Sequence, residues 1–375
     1  MIHFKDWIMV FLAIVLISIP WPGVFPAPVK ETRSEALTGK TGEQELTITD
    51  ALGREVYLEE PPERIILAGR AAALIANPAY IFPEAKEKIV GMSDPDQGMG
   101  NFIAFIDPFY GDKTIFQGTA GAEEVAALNP DLVIMKSFME EKLGRPLSKL
   151  EIPVVYLNLE TPQQFERDLQ TLGKLFQNES RAMEIGEYYR REQEEVLSVT
   201  ESIPEGDKPR VLLIYFSEQD GKFAFNVPPR NWIQTTMVKM AGGHAVWKDS
   251  AMGDGWIKVS FEQIAVWNPH HIYVVSYRGD ANRVKGELLG NPRWSALKAV
   301  KNRNLYAFPG DFYSWDQPDP RWILGLKWLA KKLHPHLFID IDMRQEAADF
   351  FYRLYNLEES PFTEKILPRI KGDFP

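Results

Sequence analysis

A segment without any strand signal, residues 161–200, divides this chain and limits the folds open to it. Before it, short apolar runs at residues 64–68, 88–91, 131–135 and 154–157 alternate with segments of helical spacing. After it, the alternation resumes with runs at residues 211–216, 271–276 and 304–308. Such runs are typical of buried strands, and their alternation with helices predicts covered sheets. We therefore expect two α/β lobes, each with a mainly parallel sheet.

The strandless segment itself predicts two helices that divide near Gln177 and Asn178. The second, residues 179–201, would be about 34 Å long, enough to cross a small domain. The sequence thus predicts one long helix between the lobes. The expected plan begins with a signal peptide or N-terminal anchor (residues 1–27), a linker (28–45) and an N-terminal lobe (46–170). The interlobe helix (171–205), a C-terminal lobe (206–340) and a C-terminal helical extension (341–375) follow.

The N-terminus indicates export. Lys5 precedes an apolar run, residues 7–19, which Pro20 and Pro22 interrupt. The run is short for a spanning helix but suits the core of a Sec-type signal peptide. Cleavage and retention as an anchor both remain open, and so does a buried N-terminal helix. The chain has no cysteine, so it has no lipid-modified N-terminal cysteine.

Composition excludes several classes of function. The formal net charge is −10 with the charges interleaved, which argues against nucleic-acid binding. The absence of cysteine excludes Cys-ligated zinc, Fe–S clusters and thiol nucleophiles. The sequence contains no Gly-x-Ser-x-Gly, His-Glu-x-x-His or Walker-type motif, so we predict no catalytic residues. A secreted α/β enzyme and an anchored surface-binding domain remain as alternatives.

Histidine usage bears on metals. The chain has six histidines, and none falls within residues 46–170. A protein that captures a bare transition metal ordinarily supplies imidazoles from both lobes. We therefore predict no metal-ligating residues.

One motif occurs twice. Residues 123–130 and 262–269 each contain a glutamate, a polar residue, an apolar run and an Asn-Pro pair at the same spacing. Each reads as a short helix that proline ends, followed directly by a buried strand. One copy lies in each predicted lobe, which favours two lobes of similar design.

These residues carry a family resemblance. The chain resembles the periplasmic substrate-binding proteins of iron-siderophore, haem, cobalamin and molybdate ABC importers. The likeness runs from about residue 46 to residue 338, and its specificity rests on the order of pieces rather than on one motif. The matching pieces are residues 50–54 (DALGR), 62–66 (PERII), 89–91 (IVG), 123–133, 152–155 (IPVV) and 259–263 (VSFEQ). Long loops near the presumed cleft and a tail from residue 340 onwards depart from the family pattern.

The resemblance implies two lobes joined by a single helix with the ligand in the cleft between them. It implies a monomer in the periplasm that delivers its cargo to an ABC permease dimer with its ATPase, without a cofactor of its own. In this family one surface glutamate of each lobe docks on the permease, and the motif places these at Glu123 and Glu262. The alternative for each is a solvated glutamate that the helix dipole favours.

The cleft should lie beyond the carboxyl ends of the strands. Loops there supply arginines and aromatic side chains, which suit an anionic cargo with flat organic parts or a bare oxyanion. The alternatives are solvated loop arginines, an interlobe salt bridge for Arg70 and core packing for the tryptophans. The candidate ligand-binding residues are Arg70, Tyr110, Arg230, Trp232, Tyr277, Arg278 and Trp315.

The cargo is less determined by the sequence. We rank an iron chelate first, molybdate or tungstate second, and cobalamin or haem after these. Residues 314–318 and 324–330 are similar to the molybdate-binding branch, although they also fit a loop and a packed amphipathic helix. A continuous interlobe helix further predicts only modest lobe closure.

Overall fold

A computed structural model describes residues 45–219, 222–250, 253 and 255–375. The predicted signal peptide (residues 1–27) and all but the last residue of the predicted linker lie outside these ranges. Residues 43–375 group into one unit, and both lobes belong to it. Among the described residues, no helix combines the length and apolar character needed to cross a membrane.

The N-terminal lobe begins with a hairpin and continues as a parallel sheet. The hairpin pairs β1 (Leu46–Thr49) with β2 (Glu55–Leu58), and the Asp50 carboxylate accepts from the backbone N–H groups of Leu52 and Arg54 in its turn. The sheet has the order β5-β4-β3-β6-β7, and all its pairs are parallel. Its strands are β3 (Ile65–Leu67), β4 (Ile89–Ser93), β5 (Thr114–Phe116), β6 (Leu132–Lys136) and β7 (Val154–Leu157). All except β5 were predicted.

Six α-helices accompany this sheet: α1 (Ala73–Ala79), α2 (Ala85–Lys88), α3 (Phe102–Ile106), α4 (Ala122–Ala126), α5 (Arg145–Ser148) and α6 (Pro162–Leu175). Side-chain caps fix where two of them begin. The Asn101 side chain accepts from the N–H of Ala104 at α3, and the Thr161 side chain accepts from that of Gln164 at α6.

The interlobe helix α7 (Glu179–Thr200) has 22 residues, so it is about 33 Å long. Asn178 caps its N-terminus, where the predicted break lies. Gly173 permits close packing between α6 and α7, because a Cβ there would lie 2.6 Å from the Cβ of Ala182. The two predicted helices are confirmed, although the predicted interlobe segment, residues 171–205, also takes in the end of α6.

The C-terminal lobe carries a mixed sheet of order β11-β9-β8-β12-β13, with β10 also paired to β8. Its strands are β8 (Arg210–Gln219), β9 (Lys222–Val227), β10 (His244–Ala245), β11 (Ile257–Val259), β12 (His271–Val275) and β13 (Leu305–Ala307). Strands β8, β10, β12 and β13 pair in parallel, whereas β9 and β11 are antiparallel to their neighbours. The expected mainly parallel sheet is therefore mixed here. Two residues separate β8 from β9, too few for a parallel crossover.

The helices of this lobe are α8 (Ile233–Met240), α9 (Phe261–Trp267), α10 (Ala281–Leu289), α11 (Lys298–Lys301) and α12 (Trp322–Leu333). The tail forms α13 (Met343–Tyr355) and α14 (Glu359–Pro361), then one π-helical and one 3-10 turn up to Arg369. Buried side chains from both sheets and from the tail form one continuous hydrophobic cluster. The fold is thus two α/β lobes with a shared core, and the carboxyl ends of the strands border the junction between them.

Candidate ligand-binding cleft

The loop after β3 presents Arg70 through unusual backbone geometry. Gly69 has φ 93° and Ala71 has φ 61°, so two left-handed residues flank the arginine. The Gly69 N–H donates to Ser93 Oγ at 3.1 Å, which ties this loop to the end of β4. Arg70 is exposed, and no residue in the described ranges gives it a hydrogen bond or an ion pair. Its guanidinium is available to a ligand.

The loop after β4 reaches the other lobe. The Asp96 carboxylate accepts from the N–H groups of Gly98 (2.6 Å) and Gly100 (3.1 Å), so it stabilises the turn. The Tyr313 hydroxyl donates to the Pro95 carbonyl at 3.0 Å. This loop therefore lies at the junction of the lobes.

Arg278 lies at the same junction. A Cβ added to Gly98 would lie 3.9 Å from the Cα of Arg278, so the two loops are neighbours across the lobes. Arg278 follows β12 and is exposed, and among the described residues it has no ion-pair partner. Of the three predicted arginines, Arg278 is the one that is most directly seen to lie at the junction of the lobes.

Arg230 lies in a loop whose backbone carbonyls accept two side-chain hydrogen bonds. The Trp247 indole N–H donates to the Pro228 carbonyl at 2.9 Å, and the Thr235 hydroxyl donates to the Pro229 carbonyl at 2.9 Å. Arg230 itself is exposed and lacks a partner in the described part of the chain. A fixed backbone with a free guanidinium is the arrangement that a binding loop needs.

Four half-buried rings form a cluster at the carboxyl edge of the C-terminal sheet. Tyr215 stacks on Tyr277 at 4.7 Å between centroids and lies 5.1 Å from Trp256. Trp256 in turn lies 5.7 Å from Trp232 and 5.9 Å from Tyr277. We call these four residues the aromatic cluster. It contains two of the four predicted rings, Trp232 and Tyr277, and two rings that the sequence analysis missed, Tyr215 and Trp256.

A buried carboxylate positions the cluster. Asp316 Oδ2 accepts from the Tyr277 hydroxyl at 2.6 Å and from Gln234 Nε2 at 3.3 Å, and Asp316 Oδ1 accepts from Ser314 Oγ at 2.5 Å. Burial raises the pKa of Asp316, while these hydrogen bonds act to lower it. Burial and the neighbouring Asp316 raise the pKa of Tyr277, so its hydroxyl remains a donor.

The other two predicted aromatic contacts are Trp315 and Tyr110. Trp315 is 0% exposed, its indole N–H donates to Asp311 Oδ2 at 3.0 Å, and its ring packs against Phe374. The ring is a core residue and has no surface to offer a ligand, which corrects the prediction for Trp315. Tyr110 is half-buried in the N-terminal lobe, where its hydroxyl accepts from Asn101 Nδ2 at 2.7 Å and burial raises its pKa.

The repeated motif forms matching helices. Glu123 lies in the first turn of α4 and Glu262 in the first turn of α9, and both side chains are exposed. Asn129 and Asn268 follow the two helices with φ 47° and 43°. A left-handed asparagine thus lies directly before the proline in both copies, and in α9 it is the C-cap residue.

Both helices are also held from the neighbouring strand. Arg64, just before β3, donates to the carbonyls of Leu128 (2.7 Å) and Asn129 (3.0 Å) at the end of α4. Arg210, at the start of β8, donates to the carbonyl of Trp267 (2.7 Å) at the end of α9. The two copies of the motif are therefore similar in structure as well as in sequence.

The two glutamates differ in their surroundings. Glu262 forms an ion pair with Arg293, whose guanidinium also lies 4.4 Å from the Phe261 ring. Hydrogen bonds from its own backbone N–H and from Arg293 lower the pKa of Glu262. Glu123 has no ion-pair partner among the described residues.

A family model described as periplasmic binding protein matches residues 113–312, more than half of the chain. The chain belongs to this family. The resemblance found in the sequence is thereby confirmed, and so is the fold that it implies, since the solved structures similar to this periplasmic binding protein are themselves periplasmic binding proteins.

Individual relatives of this periplasmic binding protein are distant. The molybdate-binding protein MolA of Haemophilus influenzae is 24% identical over 338 residues, covering 84% of this chain and 92% of MolA. The structure of MolA bound to molybdate is similar with a TM-score of 0.70 at 21% identity, covering 84% of this chain and 98% of that one.

Two further structures show the same fold. A periplasmic solute binding protein from Veillonella parvula gives a TM-score of 0.69 at 24% identity, covering 86% of this chain and 97% of that one. Helicobacter pylori CeuE with Ni(II) bound gives 0.66 at 18% identity, covering 86% and 100%. At these identities the likeness supports the fold alone. Within the described residues of this periplasmic binding protein, no three His, Asp or Glu side chains converge to hold a metal ion.

Proposed function

We propose that this periplasmic binding protein captures an anionic, metal-containing cargo outside the cytoplasm and delivers it to an ABC permease, without catalysing a reaction on it. The observation that carries the proposal is the set of arginines at the cleft. Arg70 comes from one lobe and Arg230 and Arg278 from the other, and none has a carboxylate partner among the described residues. Unpaired guanidinium groups from both sides suit a multiply charged anion.

Molybdate or tungstate is our first candidate cargo. The support is the relative that covers most of this chain, whose name gives molybdate as its ligand. A compact dianion could receive donors from both lobes at once, which the placement of Arg70 and Arg278 favours. This candidate moves ahead of the iron chelate, which the sequence analysis ranked first.

An anionic iron chelate with flat rings is the second candidate, and a separate observation favours it. The aromatic cluster leaves four rings half-buried at the carboxyl edge of the C-terminal sheet. Stacking a ligand ring on such a surface contributes about 0.5–1.5 kcal/mol beyond burial. A bare oxyanion gains nothing comparable from it.

Calorimetry on the purified protein tests both candidates. We expect molybdate and tungstate to bind and sulfate to bind more weakly, and a ligand at 100 times its dissociation constant to stabilise the fold by about 2.7 kcal/mol. A ferric tris-catecholate complex is the chelate probe. Trp256→Ala should weaken binding of that chelate and leave molybdate binding unchanged. Binding of neither probe, or binding that Arg70→Ala and Arg278→Ala leave unchanged, would reject the proposed cargo class.

Delivery is the second half of the proposal. We place the permease contact at Glu123 and Glu262, one on each lobe, because both are exposed and occupy equivalent positions. A secreted enzyme is the competing function. Turnover of a bound chelate, seen as a changed ligand mass after incubation, would favour that alternative over a binding protein.

A further inference from the structure

The C-terminal segment, residues 342–373, makes contacts with both lobes and with the helix between them. We propose that this segment is a brace that acts together with the interlobe helix to fix the angle between the lobes. The proposal does not depend on the identity of the cargo. It rests on four groups of contacts.

The first group joins α13 to the N-terminal lobe. Phe351 and Tyr355 lie 5.8 Å and 4.8 Å from Phe102 between ring centroids, and all three rings are buried. The Tyr355 hydroxyl donates to the Asn77 carbonyl at 3.1 Å. Since buried aromatic contacts are lost when two surfaces part, this group opposes any opening on the N-terminal side.

The second group joins the end of the segment to the C-terminal lobe. The Lys371 N–H donates to the Gly310 carbonyl at 2.8 Å, and the Asp373 N–H donates to the Ala307 carbonyl at 2.9 Å. The Asp373 carboxylate accepts from the Lys285 ammonium at 2.6 Å. The segment therefore lies against the end of β13 and the chain that follows it, at the edge of the C-terminal sheet.

The third group involves the interlobe helix. Lys327 of α12 is 2% exposed and donates to Glu192 and Glu195 of α7 and to Glu346 of α13, at 2.6, 2.8 and 2.7 Å. Arg181, near the start of α7, donates to the Leu354 carbonyl at the end of α13. The brace is thus fastened along the helix that a hinge motion would have to bend.

The fourth group is a shared buried cation. Arg321 is 0% exposed and pairs with Asp311 at 2.8 Å. Its guanidinium lies 4.5 Å from the Phe102 ring, 5.1 Å from the Tyr313 ring and 5.4 Å from the Phe351 ring. These rings belong to the N-terminal lobe, the C-terminal lobe and the brace. A guanidinium buried among rings from three parts of the molecule favours their contact, because separation would remove its cation–π contacts with Phe102 and Phe351.

Electron-spin distance measurements can test the brace, and the absence of native cysteine makes site-specific labelling simple. We would place labels at Lys149→Cys in the N-terminal lobe and Lys301→Cys in the C-terminal lobe, both exposed. The test variant is Phe351→Ala. Its matched control is Tyr352→Ala, the next residue of the same helix, which is 49% exposed.

We expect a single narrow distance distribution for the unsubstituted chain and for Tyr352→Ala, with no shift when molybdate is added. Phe351→Ala should broaden the distribution at least about twofold in the absence of any ligand, because the lobes regain hinge motion. If a folded Phe351→Ala protein matches its control, or if the unsubstituted chain shifts on adding molybdate, the brace is refuted.

A milder variant covers the case in which Phe351→Ala does not fold. Arg369 is exposed, and its guanidinium lies 4.7 Å from the Phe312 ring of the C-terminal lobe. Combined with Tyr355→Phe, Arg369→Ala removes one contact to each lobe without opening a cavity. Broadening in this double variant supports the brace, and an unchanged distribution overturns it.

Discussion

The two lobes differ at the cleft and agree on the outside. At the cleft, the N-terminal lobe presents Arg70 from a loop with two left-handed residues, whereas the C-terminal lobe presents the aromatic cluster above Asp316. On the outer helices, each lobe has an exposed glutamate, a left-handed asparagine and an arginine that binds the last carbonyls. The outer helices therefore share one geometry, whereas the two sides of the cleft differ. This is expected if one partner protein binds the outer helices of both lobes and each lobe contacts the cargo differently.

The largest expected effect tests the common surface. Exchanging Glu123→Arg and Glu262→Arg together should abolish uptake in cells and in proteoliposomes, because like charges would meet at the permease. Cargo affinity, measured by calorimetry, should not change, since both residues lie away from the cleft loops. The matched control is Glu124→Arg with Glu287→Arg, which adds the same charge at other exposed sites. Normal uptake in the test variant would show that the matching helices do not dock.

The second prediction tests the divergent surface. Arg70→Ala should weaken molybdate binding about 10- to 100-fold, which is the loss expected for a hydrogen bond to a charged group. Arg278→Ala should have a similar effect from the other lobe. The control is Arg303→Ala, an exposed arginine beyond the cleft loops. A loss on one lobe only would mean that the cargo rests against a single lobe.

The third prediction concerns stability. It applies to the C-terminal side of the chain only, because all the histidines beyond residue 3 follow the interlobe helix. Burial lowers the pKa of His271 to about 4, and its Nδ1 is buried without a partner. The unfolded chain therefore takes up the proton first. Stability that is present above pH 6.5 falls as the pH drops towards 4, by about 2 kcal/mol for this group.

Urea unfolding at pH 7 and pH 4.5 measures this loss. His271→Phe should reduce it, whereas His336→Phe, at an exposed site, should not. Equal acid sensitivity in the His271 variant and the unsubstituted chain would assign the loss to other groups.

The smallest expected effect sharpens the comparison of the two glutamates. Glu262 is paired with Arg293, whereas Glu123 has no such partner in the described chain. Arg293→Ala should strengthen binding to the permease about two- to threefold, since an exposed pair contributes little and must be broken on docking. Arg283→Ala, at an exposed arginine of α10, is the control. Weaker docking would instead mean that Arg293 contacts the permease itself.

Much of the fold was predictable because it is encoded locally. Contiguous apolar runs identified the central strands, and a polar break at Asn178 identified the start of the interlobe helix. The missed strands β5 and β11 have three residues each, too short for a clear pattern, and β9 depends on its partner β8. Such strands are defined by pairing rather than by their own sequence.

The site was predictable only in part, for the same reason. Trp232 and Tyr277 were identified from their place after strands, but Trp256 joins them only through the fold. Trp315 was misassigned because its burial depends on Phe374, far along the chain. The Glu262–Arg293 pair likewise joins residues 31 positions apart, which no local pattern reveals.

Ala71 carries a consequence for how the cleft is kept ready. At φ 61°, the backbone conformation costs an alanine about 1 kcal/mol more than it costs a glycine. Ala71→Gly would remove that backbone strain, but the ligand-free loop would then sample a wider range of conformations. By retaining a methyl group at this corner, the chain accepts a small loss of folding stability and holds the neighbouring guanidinium in a narrower set of orientations before any cargo arrives.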